Sequence, residues 1–158
     1  MMRIVAASSA DADTLAGLNQ YVQNLHLENA PQFFKLPIRE RATAAFKALL
    51  DRDDARAFIA YNDGRAIGYV LVFLVDRPET AFVSARRWLY LDQISVEPNS
   101  RRQGVGRALL NAALGCARAA GIDEIEVETW SFNAVAQVFF KSYGFAPKTE
   151  QFWLKLRV

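Results

Sequence analysis

The apolar residues of this chain change their spacing several times, and each change marks a new element. Leu15, Leu18, Val22 and Leu25 recur at intervals of three and four residues, which predicts a helix with one buried stripe. A second helix is predicted over residues 38–50, where apolar and charged residues again alternate with a helical period.

After residue 55 the apolar residues form short runs that are typical of strands. The run over residues 66–75 is apolar almost throughout, which indicates a strand buried on both faces. Asn-Asp-Gly-Arg, just before it, predicts a tight hairpin turn. Further strands are predicted over residues 3–7, 58–61, 89–96, 122–127 and 152–156, and further helices over residues 105–120 and 134–142.

Composition limits the class of protein. The chain has 158 residues of which 52% are hydrophobic, so we predict one globular domain over residues 1–158. A net charge of only +2 provides no electrostatic argument for a nucleic-acid partner. The longest apolar run is far shorter than the roughly 20 residues of a membrane-spanning helix, so no membrane partner is expected.

Cysteine content bears on the compartment. Cys116 is the only cysteine, so no internal disulfide can form and a reducing, cytoplasmic location is expected. It falls in an alanine- and leucine-rich helix, where a buried small residue is the better interpretation than a reactive thiol.

The segment most indicative of a ligand-binding site is Arg-Arg-Gln-Gly-Val-Gly-Arg, residues 101–107. It lies between a predicted strand and a predicted helix, where the first helical amides have no intrahelical acceptor and point outward at the positive end of the helix dipole. Two glycines let a ligand approach the backbone closely, and three arginines add positive charge. The combination predicts a diphosphate-binding turn. A dinucleotide-binding turn would need a third glycine where Leu109 stands, and no Gly-Lys-Ser/Thr triplet of a P-loop occurs.

The strand followed by Arg-x-x-Gly-x-Gly resembles the coenzyme A pyrophosphate loop of the GNAT superfamily of N-acetyltransferases. A second motif strengthens the resemblance, because members of that superfamily often carry Asn-x-x-Ala-x-x-Phe-Tyr followed by a short basic stretch and Gly-Phe. The residues that match it, with phenylalanine in place of the tyrosine, are Asn133, Ala136, Phe139, Phe140, Lys141, Ser142, Tyr143, Gly144 and Phe145.

The resemblance covers essentially the whole chain and implies its fold. It implies an α/β (α+β) GNAT fold, whose mixed, mostly antiparallel central sheet has about six to seven strands and is flanked by about four helices. The fourth and fifth strands would be parallel and splayed apart. The layout also has some similarity to that of polyamine and diamine acetyltransferases.

The resemblance further implies acetyl transfer from acetyl-CoA to an amine, with acetyl-CoA as the co-substrate and no metal. Backbone groups of the central strand would bind pantetheine, the arginine–glycine turn would bind the pyrophosphate, and a second set of residues would contact the pantetheine arm. The cofactor-binding residues so implied are Ile94, Ser95, Val96, Arg101, Arg102, Gln103, Gly104, Val105, Gly106, Arg107, Asn133 and Phe140.

Catalysis would require a base, because an alkylamine has a pKa of about 10.4 and arrives protonated at neutral pH. Asp92 and Glu97 flank the central strand segment and are the candidates, and Asp92 stands where polyamine-acetylating relatives place a carboxylate. Gln93 replaces a position that is often acidic in those enzymes, which argues against a highly cationic acceptor. Phe140 cannot protonate the departing thiolate as a tyrosine would, and Tyr143 is the candidate substitute.

The sequence leaves two alternative functions open, and it suggests an amine acceptor and a second copy of the chain as partners. The chain could be an acyl-CoA-binding regulatory or sensor domain without turnover, which Phe140 favours, or, less well supported, a dinucleotide-binding fragment. The expected acceptor is a primary amine of a small molecule or of an amino-acid- or peptide-like compound. The aromatic segment Phe152-Trp153-Leu154 is expected to form an edge strand that pairs with a second copy, so we predict a homodimer.

Overall fold

The structure is a computed structural model and describes residues 1–157. Its described part separates into two compact units, Met1–Glu128 and a shorter one that starts at Thr129, and each is described by itself. The prediction of a single domain stays a prediction.

The first unit contains five strands and three helices. In chain order its elements are β1 (Met2–Ala6), α1 (Ala12–Asn29), α2 (Arg39–Leu50), β2 (Ala55–Asn62), β3 (Arg65–Arg77), β4 (Arg86–Val96), α3 (Val105–Ala119) and β5 (Ile125–Val127). Single 3₁₀ turns lie at Ser9–Asp11 and Pro98–Ser100. The strands and helices predicted for this unit are therefore present, and most of their ends differ from the prediction by one to three residues.

One five-stranded sheet carries the unit, in the order β1-β2-β3-β4-β5. The first three pairs are antiparallel and the pair β4–β5 is parallel, so the mixed, mostly antiparallel sheet with a parallel pair is confirmed. The expectation of about six to seven strands is too high for residues 1–157, which contain five.

Helices cover both faces of this sheet. α1 and α2 pack on one face, where Leu15, Leu18 and Phe46 form a core with Tyr69 and Leu71 of β3. α3 packs on the opposite face with its own buried stripe. That stripe consists of Val105, Leu109, Leu110, Ala113 and Ala117.

Gly68 of β3 marks where α3 and β4 meet most closely. A Cβ at this position would lie 2.8 Å from the carbonyl oxygen of Ser95 and 3.3 Å from the side chain of Leu109. Only glycine therefore fits between the two elements. Within residues 1–157, no helix has the length and apolarity that crossing a membrane requires.

The second unit contains α4 (Ala134–Ser142), which has the bounds predicted from the sequence. The strand predicted over residues 152–156 is wrong, because residues 145–157 adopt no helix or strand. A strand needs a neighbour to accept its backbone hydrogen bonds, and this segment pairs with none of the described strands.

Candidate functional site

The two parallel strands separate part-way along β4. β5 pairs with β4 only at Leu89, Tyr90 and Leu91, and it lies at the edge of the sheet. β4 then continues to Val96, still paired with β3 but with no described strand on its other side. The second half of β4 is therefore an open sheet edge that offers backbone hydrogen-bonding groups.

A β-bulge lies where the two strands separate. Leu91 faces Val72 and Gln93 faces Leu71, so Asp92 is an extra residue without a partner opposite. Because neighbouring residues on β3 point to opposite faces, Leu91 and Gln93 do so too, although they are only two residues apart. The bulge thus turns Gln93 toward the face that carries α1 and α2.

The open edge of β4 presents the backbone groups of two residues. The backbone amide of Glu97 donates to the carbonyl of Ile67 on β3, at 2.9 Å, so the backbone groups of Glu97 point toward β3 and not toward the open edge. Backbone groups alternate sides along a strand, hence Ser95 also faces β3, while Ile94 and Val96 face the open edge. The carbonyl of Val96 accepts a 3.1 Å hydrogen bond from Nε of Arg101, which leaves the Val96 amide and both groups of Ile94 at the edge.

The arginine–glycine turn presents unpaired amides. Within residues 1–157, the amides from Arg102 to Gly106 donate to no acceptor. Arg102 and Gly104 both adopt the left-handed conformation, with φ of 59° and 82°. Such an arrangement of successive N–H groups at a helix N-terminus attracts anions.

The side chains of this turn are arranged to leave the backbone accessible. A Cβ built at Gly104 meets no atom within 4 Å, so the space in front of the turn is open. Val105 is buried, hence only its backbone can contact a ligand. Gln103 donates to the carbonyl of Asn99 at 2.9 Å, which holds the turn, and Arg107 lies exposed in the first turn of α3.

Asp92 carries a carboxylate in an unusual environment. Asp92 is exposed, but the protein atoms around its carboxyl displace some of the water and raise its pKa, while a hydrogen bond from Gln93 and the charge of Arg52 oppose that rise. Oδ2 accepts from Nε2 of Gln93 at 3.0 Å. A carboxylate with a raised pKa at the end of an open strand edge is suited to accept a proton.

Tyr69 and Asn19 hold the side chain of Gln93 through hydrogen bonds, and neither is among the site residues predicted from the sequence. The hydroxyl of Tyr69 donates to Oε1 of Gln93 at 2.5 Å, and Nδ2 of Asn19 donates to both Tyr69 and Gln93, at 3.0 and 3.3 Å. Tyr69 is fully buried, and burial raises the pKa of its hydroxyl. The available signal was a tyrosine within a buried apolar strand, since a buried hydroxyl needs a partner.

A cavity of about 220 Å³ lies beside this network, between α1, α2 and β4. Three amide side chains, those of Asn19, Gln23 and Gln93, line part of it. The rest of the lining is apolar. It consists of Pro37, Ala42, Ala45, Phe46 and Leu49.

A second cavity, of about 240 Å³, lies between α1 and the turn that follows β4. Unlike the first, it is lined by ionisable side chains, among them Glu28 and Arg101. Within residues 1–157, no group of three or more histidine, cysteine, aspartate or glutamate side chains is placed to hold a metal ion.

Glu97, the other carboxylate candidate, is engaged by its neighbours. Arg65 donates two 2.6 Å hydrogen bonds to its carboxylate, and Ser100 donates a third, also 2.6 Å long. Arg65 first and Ser100 second lower the pKa of Glu97, and its side chain is only 8% exposed. These contacts favour a structural role, in which Glu97 ties the β2–β3 hairpin to the turn after β4.

The structure predicts a stability effect for Glu97→Gln. Losing the charge-assisted bonds should reduce the free energy of unfolding by about 1–2 kcal/mol, a range kept low because Arg65 is largely exposed. A lowered carboxyl pKa stabilises the fold above the ordinary glutamate pKa of about 4.3, and that contribution is lost as the pH falls through the folded value. Urea unfolding should therefore show the variant's deficit at pH 7 and a smaller one below pH of about 4. Glu79→Gln, at an exposed loop position, is the control and should show no deficit at either pH.

The remaining candidate residues lie in the second unit. Oδ1 of Asn133 accepts from the amide of Ala136 at 3.1 Å, so Asn133 is the N-cap of α4. Phe140 is 4% exposed and packs against Phe139 and Phe145, with ring centroids 5.2 and 5.3 Å away. Tyr143 follows the last residue of α4, and its ring lies 5.3 Å from that of Phe139.

Comparison with known proteins finds acetyltransferases, both by family profile and by sequence similarity. The profile described as "Acetyltransferase (GNAT) family" matches residues 20–145. The uncharacterized N-acetyltransferase YhfO of Bacillus subtilis is 28% identical over 150 residues, which cover 94% of this chain and 92% of that protein. The chain spans about half the length of some other relatives that it matches, 48% in two of them.

Solved structures show the same fold. A tetramutant of the Bacillus halodurans protein BH1408 superposes with a TM-score of 0.92 at 22% identity, over 98% of this chain and 99% of that one. The aminoglycoside N-acetyltransferase AAC(6′)-Iy, in complex with CoA, superposes with a TM-score of 0.77 at 21% identity, over 100% of this chain and 96% of that one.

Proposed function

The chain belongs to the acetyltransferase (GNAT) family of enzymes, and we propose that it transfers the acetyl group of acetyl-CoA to a primary amine by direct attack in a ternary complex. The proposed acceptor is a small molecule or an amino-acid- or peptide-like amine. The observation that carries the proposal is the open edge of β4, which leads directly to the unpaired amides of residues 102–106.

The backbone offers two places at which the coenzyme would bind. Amides from Arg102 to Gly106 would bind the pyrophosphate, with Arg101, Arg102 and Arg107 adding positive charge. Ile94 and Val96 would bind the pantetheine arm as an added strand would be bound. Ser95 would serve by holding β4 in place, because its hydroxyl donates to the carbonyl of Leu18 on α1, at 2.9 Å.

Asp92 is our candidate base. Acetyl-CoA supplies an activated acyl group, and the amine nitrogen must lose a proton to attack it. Asp92, directly or through a water, would take that proton, while an amide of the open edge would polarise the thioester oxygen. Glu97 is the weaker candidate, since Arg65 and Ser100 already occupy its carboxylate and lower its pKa.

The residues that the resemblance assigns to the coenzyme arm and to the acid lie in the second unit. Asn133 keeps its amide nitrogen for pantetheine or a water while its oxygen caps α4. Phe140 would contribute apolar contact only. Tyr143 is the candidate acid for the departing thiolate, and a coenzyme thiol with a pKa near the ~8.5 of free cysteine can also leave to water.

Thiol release tests this function against the alternative of a sensor domain without turnover. With acetyl-CoA and a panel of primary amines, we expect release of free coenzyme A that depends on both the amine and the protein. Acetyl-CoA binding measured by calorimetry, without thiol release for any amine, would support the sensor. Failure to bind acetyl-CoA would contradict both.

A cytoplasmic location is part of the proposal and rests on the sole cysteine. Cys116 lies in α3 and is partly buried, and burial raises the pKa of its thiol. A raised thiol pKa lowers the fraction of reactive thiolate, in keeping with a packing role. Fractionation of cells that produce the tagged full-length protein would test the location.

We also propose a homodimer, which the exposed apolar tail supports. Phe152, Leu154 and Leu156 are 88%, 80% and 75% exposed, which is unusual for three large apolar side chains in one short segment. Sedimentation velocity should give twice the chain mass for the wild type and one chain mass for the double variant Phe152→Ser/Leu154→Ser. Phe82→Ser, in the β3–β4 loop where Phe82 is 96% exposed, should leave the dimer unchanged. A monomeric wild type at tens of micromolar would contradict the proposal.

A further inference from the structure

The cavity between α1, α2 and β4 has a lining without ionisable groups. Of the eight residues that line it, five are apolar and three carry amides, and none has a side chain that titrates or bears a charge. Its volume of about 220 Å³ is below the roughly 300–1,000 Å³ of pockets for drug-sized ligands. It is open to solvent on one side, so it suits a small substituent that enters from the surface.

The amide of Gln93 has a fixed orientation at the inner end of this cavity. Its Oε1 accepts from Tyr69 and Asn19, and its Nε2 donates to Oδ2 of Asp92. Turning the amide over would break all three bonds. Gln93 therefore connects the cavity to the candidate base while keeping a neutral group at the cavity wall.

This arrangement determines which charged groups of an acceptor can enter the cavity favourably. None of the residues that line the cavity carries a carboxylate, and Asp92, which accepts a hydrogen bond from Gln93, is used in the proposed reaction for the attacking nitrogen. A second ammonium group within the cavity would lose water without gaining a carboxylate partner, which is unfavourable. An alkyl or amide group there would instead contact the apolar lining or bond to the amides.

We propose that this amide-lined cavity selects acceptors whose reacting amine is their only cationic group: monoamines with a compact apolar or amide-bearing body. The inference rests on the proposed acetyl transfer and narrows its substrate class. Asn19, Gln23 and Gln93 are then the specificity-determining residues of the acceptor side.

A set of five-carbon amines tests the selection. With acetyl-CoA saturating, kcat/KM is measured for 1-aminopentane, 5-aminopentanamide and 1,5-diaminopentane, which differ only in the end that would enter the cavity. The wild type should use both monoamines at least about tenfold more efficiently than the diamine. Equal or greater efficiency with the diamine would overturn the inference.

Gln23→Glu tests whether this cavity is the one that selects. Gln23 bonds to the carbonyl of Lys35 at 2.9 Å, so the change adds a carboxylate to the cavity without touching the contacts of Asp92. The ratio of diamine to monoamine kcat/KM should rise roughly three- to tenfold, since the new carboxylate attracts the second ammonium. Glu28→Gln, which removes a carboxylate from the second cavity, is the matched control and should leave the ratio unchanged.

The possible outcomes distinguish a failure of the acceptor selection from a failure of the proposed acetyl transfer. Acetylation of all three amines with similar efficiency, and no change of ratio in Gln23→Glu, overturns the selection but leaves acetyl transfer standing. A ratio that responds to Glu28→Gln and not to Gln23→Glu places the acceptor in the second cavity and also overturns it. No thiol release from any amine overturns the proposed function and the inference together. Thermal melting of each variant verifies that it is folded.

Discussion

Replacing Gly104 with valine should raise the KM for acetyl-CoA roughly ten- to hundredfold, because the side chain would stand between the turn and the pyrophosphate. Hydrogen bonds to a charged partner contribute about 1.5–3 kcal/mol each, and losing one of them gives roughly that range. A Cβ at Gly104 meets no protein atom within 4 Å, so the valine would project into the space that the ligand needs. Steady-state kinetics with acetyl-CoA as the varied substrate measures the effect.

The backbone conformation requires a control for this experiment. Gly104 has φ of 82°, where a β-branched residue is strained, so the variant should also lose stability. Gly121→Val imposes a similar strain at the opposite end of α3, where φ is 67° and a Cβ also meets no atom within 4 Å. We expect Gly121→Val to be destabilised without a change in acetyl-CoA KM. Equal KM values in the two variants would remove the turn from coenzyme binding.

Asp92→Asn is expected to lower kcat by roughly a hundredfold or more at neutral pH, within the 10²–10⁴ range of general-base contributions. The asparagine keeps the shape of the side chain at the bulge but cannot take a proton. The loss should shrink as the pH rises toward about 10, because the amine then arrives unprotonated and needs no base. A pH profile of kcat for both proteins measures it.

The wild-type profile follows from the direction of the Asp92 pKa shift. Desolvation raises this pKa, so the base is protonated and inactive at pH values where an ordinary aspartate would still be ionised. Activity should therefore fall with decreasing pH at a point above the usual aspartate value of about 3.9. Glu97→Gln, assayed below its melting temperature, should keep most of the wild-type kcat. A wild-type rate in Asp92→Asn together with a large loss in Glu97→Gln would exchange the roles of the two carboxylates.

Local patterns were sufficient to predict elements that depend on local chemistry. α4 has the predicted bounds, because Asn133 caps its first turn and Gly144, with φ of 89°, follows its last. Residues 152–156 have the same strength of pattern and form no strand. Whether such a segment pairs depends on an edge elsewhere, and the order of residues within the segment contains no information about that edge.

The bulge at Asp92 could not be predicted for a related reason. In Leu-Asp-Gln-Ile-Ser two neighbouring polar residues interrupt the alternation of the strand, but the bulge itself is visible only when β4 is aligned with β3. The face on which Gln93 lies, and hence its contact with Tyr69 and Asn19, depends on that alignment. The sequence identified Asp92 as a candidate but could not indicate which groups surround it.

For Glu97, the neighbouring sequence could not predict which residue contacts its carboxylate. Its place beside the arginine–glycine turn made it a reasonable candidate base. The residue that engages it, Arg65, is 32 positions earlier in the chain, and only the folded sheet brings the two together. A long-range ion pair of this kind leaves no local pattern, so the sequence gives no sign that Arg65 engages the carboxylate of Glu97.

A crystal structure of the chain with coenzyme A would show whether the arginine–glycine turn binds the pyrophosphate. We expect oxygens of the pyrophosphate within about 2.7–3.2 Å of at least two backbone amides from residues 102–106, with the pantetheine arm along Ile94 and Val96. A coenzyme bound elsewhere, or those amides turned toward acceptors of the protein itself, would contradict it.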